Sequence, residues 1–236
     1  MTTAPHALAR ALAAAAAPLF EMEGDARLAS PYAAADPALD LPGAAATRRA
    51  NLLASFAALH PHPRLLLVAE APGPHGARFS GVPLTSEAQL LDPDFPFDGT
   101  PTSVDAAHGR PLDEYSARIV QRVIGDARRA VVIWNAVPFH PHREGQPRSI
   151  RPPTRREVIR FAPALAAVVA AVRAASPAAP IVAVGRVAER ALAGIGTDAV
   201  YLRHPSQGGA RIFADGLRRL LDAPRPSDLR PASDPP

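Results

Sequence analysis

Three polar side chains that can do chemistry follow apolar segments widely separated in the sequence. Glu70 ends RLLLVAE, Asn135 ends VVIWN, and His204 follows DAVYLR. A carboxylate can orient water, an amide presents a donor beside an acceptor, and an imidazole can stabilise a developing anion. If the apolar segments are parallel strands of one sheet, the three groups meet in a crevice at the carboxyl ends of those strands.

The order of strand-like and helix-like segments predicts such a sheet. Thr154 with Glu157 three residues later is typical of a capping box, which marks the start of a helix. We predict strands over 64–70, 130–135, 180–184 and 198–203, and helices over 112–128, 154–174, 186–193 and 207–221. Strands that alternate with helices give an α/β fold, here a three-layer α/β/α sandwich with a central, mostly parallel four-stranded sheet.

We expect one domain over residues 1–222, followed by a disordered tail over 223–236. Within the domain, residues 1–60 have an alanine-rich, helical pattern broken by prolines such as Pro18, and residues 64–221 carry the motifs. Two segments rich in proline, 92–112 and 138–153, are expected to be irregular loops.

Composition excludes several classes of protein. The 236 residues include no cysteine, so this sequence has no disulfide, no thiol nucleophile and no thiolate-bound iron–sulfur cluster, and we expect a cytoplasmic protein. No uninterrupted apolar run reaches the ~20 residues of a membrane span, so no membrane partner is expected. The formal charge of +4 comes with arginine and no lysine, which is compatible with a polyanionic partner but does not establish one.

Each motif alone has a plain structural interpretation. EAPGPHG after the first strand can be an ordinary turn, and it lacks the lysine of a phosphate-binding loop. Asn135 can cap a loop, and a histidine at a strand end such as His204 can be purely structural. Two other interpretations therefore remain open. One is an α/β enzyme that acts on a free nucleotide or small phosphoester, and the other is a module that binds its ligand without catalysis.

Taken together and in order, the motifs resemble those of the uracil-DNA glycosylase superfamily. Glu-Ala-Pro-Gly (70–73), Arg-Phe-Ser-Gly (78–81), Asn-Ala-Val-Pro (135–138), Arg-Pro-Pro-Thr (151–154) and His-Pro-Ser (204–206) are similar to motifs of its thermophilic-type branch. The resemblance covers residues 64–221 and implies hydrolysis of the bond between a deaminated base, such as uracil, and its sugar in DNA.

The resemblance also implies roles for individual residues. Phe79 would stack on the flipped base, Asn135 would bind its O4 and N3 edge, and His204 would stabilise negative charge on O2. Glu70 would orient the attacking water, and the backbone near Ala71 and Gly73 would touch the base or sugar. From charge alone, Arg148 and Arg151, which flank the Asn135 loop, are expected to contact the DNA backbone, with a solvated loop as the equal alternative. Ser206 of the His-Pro-Ser motif is expected to contact the DNA as well. The leucine wedge that follows this motif in the best-known branch is missing, and Arg211 is the candidate to fill the place of the flipped nucleotide.

The sequence also departs from the family pattern. The thermophilic-type branch holds an iron–sulfur cluster through four cysteines, whereas here Phe139 stands at the cysteine position after the asparagine motif. Ala71 stands where the best-known branch has a water-activating aspartate. We therefore expect a divergent, monomeric enzyme without metal or other cofactor, or, as the alternative, a weak or inactive module that binds DNA or a base.

Overall fold

A continuous apolar strand at the centre of the sheet organises the molecule. The computed structural model describes residues 5–223, so nearly all of the predicted tail lies outside the described residues. Strand β2 (Leu65–Ala69) is buried at every position. Full burial of successive residues is typical of a parallel strand that is covered by helices on both faces.

The main sheet contains four parallel strands, as predicted. In addition to β2, these are β3 (Val131–Asn135), β5 (Ile181–Val184) and β6 (Val200–Leu202). Their order across the sheet is β3-β2-β5-β6. Ala69 pairs with Asn135 on one side, and Val68 pairs with Ala183 on the other. This register puts the carboxyl ends of all four strands along one edge.

Helices cover both faces and complete three layers. One face packs against α1 (Ala7–Phe20), α2 (Ala44–Ala57), α7 (Arg155–Ala175) and α8 (Arg186–Gly194). The other packs against α6 (Tyr115–Ile124) and α9 (Ala210–Asp222). A 3-10 turn (Gly125–Ala130) connects α6 to β3. The predicted capping box at the start of α7 is present, because Thr154 and Glu157 bond each other's backbone N–H groups.

The two expected loops contain some regular structure. The first loop, over 92–112, contains the short helix α5 (Val104–Ala107). Two further short helices, α3 (Ala77–Ser80) and α4 (Glu87–Leu90), lie before it in the segment between β2 and α6. In the second loop, β4 (His140–Pro141) pairs antiparallel with β1 (Leu28–Ala29), a contact between distant segments that local sequence does not predict. Pro18 does not end the first helix: α1 continues to Phe20, although a proline cannot donate a hydrogen bond to the carbonyl four residues earlier.

Helix α7 is both long and apolar. Within residues 5–223 it is the one helix long and apolar enough to cross a bilayer by length and composition, with a mean hydropathy of 1.8 over 18 residues. Core helices of soluble proteins pass the same test, and α7 packs its buried face against α1 and the sheet. We assign it to the core layer.

Candidate functional site

A cleft of about 620 Å³ opens at the carboxyl edge of the sheet. Its size lies within the range of ~300–1,000 Å³ that is usual for small-molecule sites. Six of the predicted site residues line it: Glu70, Ala71, Gly73, Arg151, His204 and Ser206. The cleft therefore gathers residues from the ends of β2 and β6 and from the loop before α7.

Glu70 is fixed where β2 leaves the sheet. Its Oε1 accepts a hydrogen bond from the backbone N–H of Val187 at 3.0 Å, in the first turn of α8. The positive end of the helix dipole favours a carboxylate there. Gly185, with φ of 90°, makes this approach possible, because a Cβ at that position would collide with the Glu70 carboxylate.

His204 is held as a neutral imidazole with a defined tautomer. The backbone N–H of Ser206 donates to Nδ1 at 3.2 Å, and the Ser206 hydroxyl lies 2.7 Å from the same nitrogen. Nδ1 is therefore the acceptor, and the ring proton lies on Nε2. Burial lowers the pKa of His204 below its ordinary value, although the charge of Glu70 acts in the opposite direction. Nε2–H makes no hydrogen bond within residues 5–223, so it can serve a ligand.

Asn135 is the last residue of β3, the strand next to the one that leads into Glu70. It pairs with Ala69 in the register of the sheet, and Val137 N–H donates to the Glu70 carbonyl at 2.9 Å. The side chain is only 3% exposed and does not line the cleft. In the part of the chain that the structure describes, no protein group hydrogen-bonds to its side-chain amide, which therefore keeps its donor and acceptor for a partner.

Phe79 is not brought to the cleft. It lies in α3, is 1% exposed, and packs beneath Arg78, whose Cζ is 4.8 Å from the ring centroid. Its carbonyl accepts a hydrogen bond from the Thr102 hydroxyl at 2.6 Å. The proposed stacking on a base stays a prediction, and this arrangement of the ring does not supply the stacking surface.

The predicted DNA-contacting arginines differ in their surroundings. Arg151 lines the cleft, but both oxygens of Glu157 hold its guanidinium, at 2.5 and 2.9 Å. Arg148 pairs with Asp105 at 2.5 Å outside the cleft. Arg211 is exposed in the first turn of α9, also outside the cleft. Their DNA contacts stay predictions.

Several cleft residues were not predicted as site residues. Arg186 and Arg203 add positive charge at the rim, and Ile150 is 54% exposed there. Glu114 contributes a second carboxyl group from the start of α6. Arg203 was recognisable in the sequence as the neighbour of His204, whereas nothing in the local pattern marks Glu114.

The residues around the former cysteine position do not fit a metal cluster. Phe139 is fully buried, and its ring centroid lies 4.8 Å from that of Phe161. An aromatic pair therefore fills this place, and the sequence offers no thiolate. Over residues 5–223, no group of three histidine, aspartate or glutamate side chains is arranged to hold a metal ion.

Comparisons with known proteins agree with the motif order and the fold. The family model of the uracil DNA glycosylase superfamily matches residues 56–231. The crystal structure of wild-type SMUG2 from Pedobacter heparinus superposes with a TM-score of 0.51 at 12% identity, covering 89% of this chain and 96% of that one. At this identity the likeness concerns the fold. No curated protein sequence matches the chain.

Proposed function

Because this chain belongs to the uracil DNA glycosylase superfamily, which implies a DNA substrate, we propose that it hydrolyses the N-glycosidic bond of uracil or a related deaminated base in DNA. The observation that carries the proposal is the pair of Glu70 and neutral His204 in one cleft, with the amide of Asn135 at the adjoining strand end.

His204 stabilises the leaving base. Breaking the bond between C1′ of the sugar and the base nitrogen leaves the electron pair, and so negative charge, on the base. The Nε2–H of a neutral imidazole can donate to the oxygen on which this charge develops. Preorganisation by Ser206 supports this role, because the ring need not turn or change its proton during the reaction.

Glu70 acts on the sugar side. Its Oε1 is occupied by Val187 N–H, which fixes the carboxylate and leaves Oε2 to orient a water molecule toward C1′. Water adds its oxygen to C1′ and gives up a proton, and the base leaves and is protonated. The products are the free base and an abasic site. Ala71 has no carboxylate, so Glu70 is the residue that orients the attacking water.

Asn135 selects the base. Its amide accepts from N3–H and donates to O4 of uracil, whereas cytosine presents the opposite groups at these positions.

The alternative is a module of the same fold that binds DNA or a base without cleaving it, which the alanine at position 71 favours. The experiment that separates the two uses labelled oligonucleotides with one uracil, hypoxanthine or xanthine, single-stranded or paired, followed by alkali. Strand breaks at the modified base, with release of the free base, support the glycosylase. Salt-sensitive binding without cleavage of any substrate would favour the binding module.

A further inference from the structure

Glu114 turns its carboxyl group into the cleft and away from its own helix. It is the residue before α6, where a side chain often caps the helix, yet its carboxylate makes no cap bond. Among residues 5–223, no donor hydrogen-bonds to the carboxylate and no cation pairs with it. The side chain is partly buried and lines the same cleft as Glu70 and His204.

The turn after β2 is shaped to accept this carboxyl group. A Cβ at Gly73 would lie 2.5 Å from Glu114 Oε2, and one at Gly76 would lie still closer. The two glycines therefore leave room for the Glu114 carboxyl group in its present position. The carboxyl group thus lies against the backbone of the same turn that borders the cleft after Glu70.

The charged groups around Glu114 do not neutralise it. Its neighbour Asp113 is itself acidic and pairs with Arg118 at 3.1 Å. His75 is the titratable side chain of the adjoining turn. The other charged or titratable residues that line the cleft are Glu70, Arg151, Arg186, Arg203 and His204. Burial, and secondarily Asp113, raises the pKa of Glu114 to about 7.

We infer that Glu114 is a further substrate-contacting residue of this cleft, whose protonated carboxyl group donates a hydrogen bond to an acceptor atom of the bound nucleoside. This inference rests on the proposed function. Donation is favoured over acceptance because a bound polyanion raises the cost of a second carboxylate in the cleft and so holds the proton on Glu114. Glu70, fixed by Val187 N–H, is then the carboxylate that orients the water.

The test compares Glu114→Gln, Glu114→Ala and a matched control, Asp126→Asn, which removes an exposed acidic group beyond the other end of α6. Single-turnover cleavage is measured from about pH 6 to about pH 9. Binding is measured on DNA with 2′-fluorinated deoxyuridine, whose glycosidic bond resists cleavage.

We expect Glu114→Ala to lower cleavage by about tenfold or more and to weaken binding of the fluorinated DNA. Glu114→Gln keeps a donor, so it retains cleavage near neutral pH and loses the decline that the wild type shows above about pH 7. Asp113→Asn removes the neighbouring charge and moves that decline to lower pH. A purely structural side chain would not change the pH profile in these ways.

Three results would overturn the inference. Wild-type rates and binding in Glu114→Ala would remove Glu114 from the substrate contacts. A Glu114→Gln enzyme as impaired as Glu114→Ala would exclude donation as its role. A wild type that neither cleaves nor prefers the fluorinated DNA over unmodified DNA would overturn the proposed function as well, which separates the two failures.

Discussion

Two groups of buried or partly buried charged side chains within residues 5–223 differ in their surroundings. The first group, in and beneath the segment that joins β2 to α6, contains Asp40, Arg48, Arg78 and Glu87, each at most 5% exposed. In the cleft, Glu70 has one hydrogen bond and Glu114 has none within the described residues. The charges of the first group are paired with other groups of the protein, whereas the carboxylates of the second group have hydrogen-bonding capacity left for a ligand.

The internally paired group is a structural cluster. Arg78 binds both oxygens of Asp40 at 3.1 and 3.0 Å, and Arg48 lies 2.6 Å from Asp40. Burial alone would raise the pKa of Asp40, but the two arginines hold it below its ordinary value. Glu87 accepts from three backbone N–H groups, those of Thr102, Ser103 and Leu112.

The comparison indicates that the residues that stabilise this fold and the residues that can bind a ligand form two separate groups. A buried charge whose partners lie inside the protein fixes the chain, whereas one without partners has bonding capacity left for a ligand. This capacity lies in Glu70, Glu114 and His204, which line the cleft, and in Asn135 at the adjoining strand end. Substitutions in the paired group should therefore change stability, and substitutions in the open group should change cleavage or binding.

Asp40→Ala should destabilise the protein strongly, because it leaves two buried guanidinium groups without their carboxylate. We expect a loss of about 3–5 kcal/mol in the free energy of unfolding, measured with urea. The control Asp126→Ala, at an exposed position, should change it by no more than about 0.5 kcal/mol. A small change in the free energy of unfolding of Asp40→Ala would contradict the distinction between the two groups.

Asn135→Ala should have the opposite profile. We expect cleavage of uracil-containing DNA to fall at least about tenfold, while the free energy of unfolding stays nearly unchanged, because the side-chain amide makes no hydrogen bond within residues 5–223. Rates and urea midpoints are measured on the same preparations. Loss of stability with an unchanged rate would make Asn135 a structural residue.

Glu114→Gln should make the protein more resistant to unfolding at alkaline pH. A carboxyl whose pKa is raised from 4.5 to about 7 supports folding while it is protonated, below its unfolded pKa, and loses this contribution as pH rises through about 7. The advantage of the glutamine variant should therefore grow between these values and then level off, remaining smaller than the effect at Asp40. Urea unfolding across this interval measures it, and a constant difference would contradict the assignment.

Arg203→Ala should produce the smallest change. Arg203 is exposed at the rim and, within residues 5–223, its one hydrogen bond is to the Gln207 carbonyl at 3.3 Å, so its charge is available for a phosphate. We expect the salt dependence of DNA binding to lose about one unit of slope. Arg151→Ala, whose guanidinium is already held by Glu157, should lose less slope. Equal slopes in both variants would show that pairing within the protein does not decide DNA contact.

The sequence was sufficient for the sheet and for the residues at its edge. Apolar segments that end at Glu70, Asn135 and His204 define parallel strands by local pattern, and parallel strands bring their ends together by geometry. This is why the α/β/α fold and the convergence of Glu70 and His204 were predictable from local features.

Contacts between distant segments were not predictable in the same way. Glu114 reaches the cleft because α6 happens to start beside the 73–76 turn, and β4 forms only because β1 pairs with it. Phe79 was expected at the base, whereas its side chain is 1% exposed and its ring lies against Arg78, so stacking on a base stays a prediction. Each of these depends on the packing of loops, which leaves no periodic signal.

We claim that the polar groups that line the cleft perform the reaction, and the His204→Ala variant tests this claim most directly. The measurement is the single-turnover rate of cleavage of a uracil-containing oligonucleotide, alongside urea unfolding of the same variant. We predict a rate at least about tenfold below the wild type with an unchanged free energy of unfolding. A wild-type rate in the folded variant would contradict the claim.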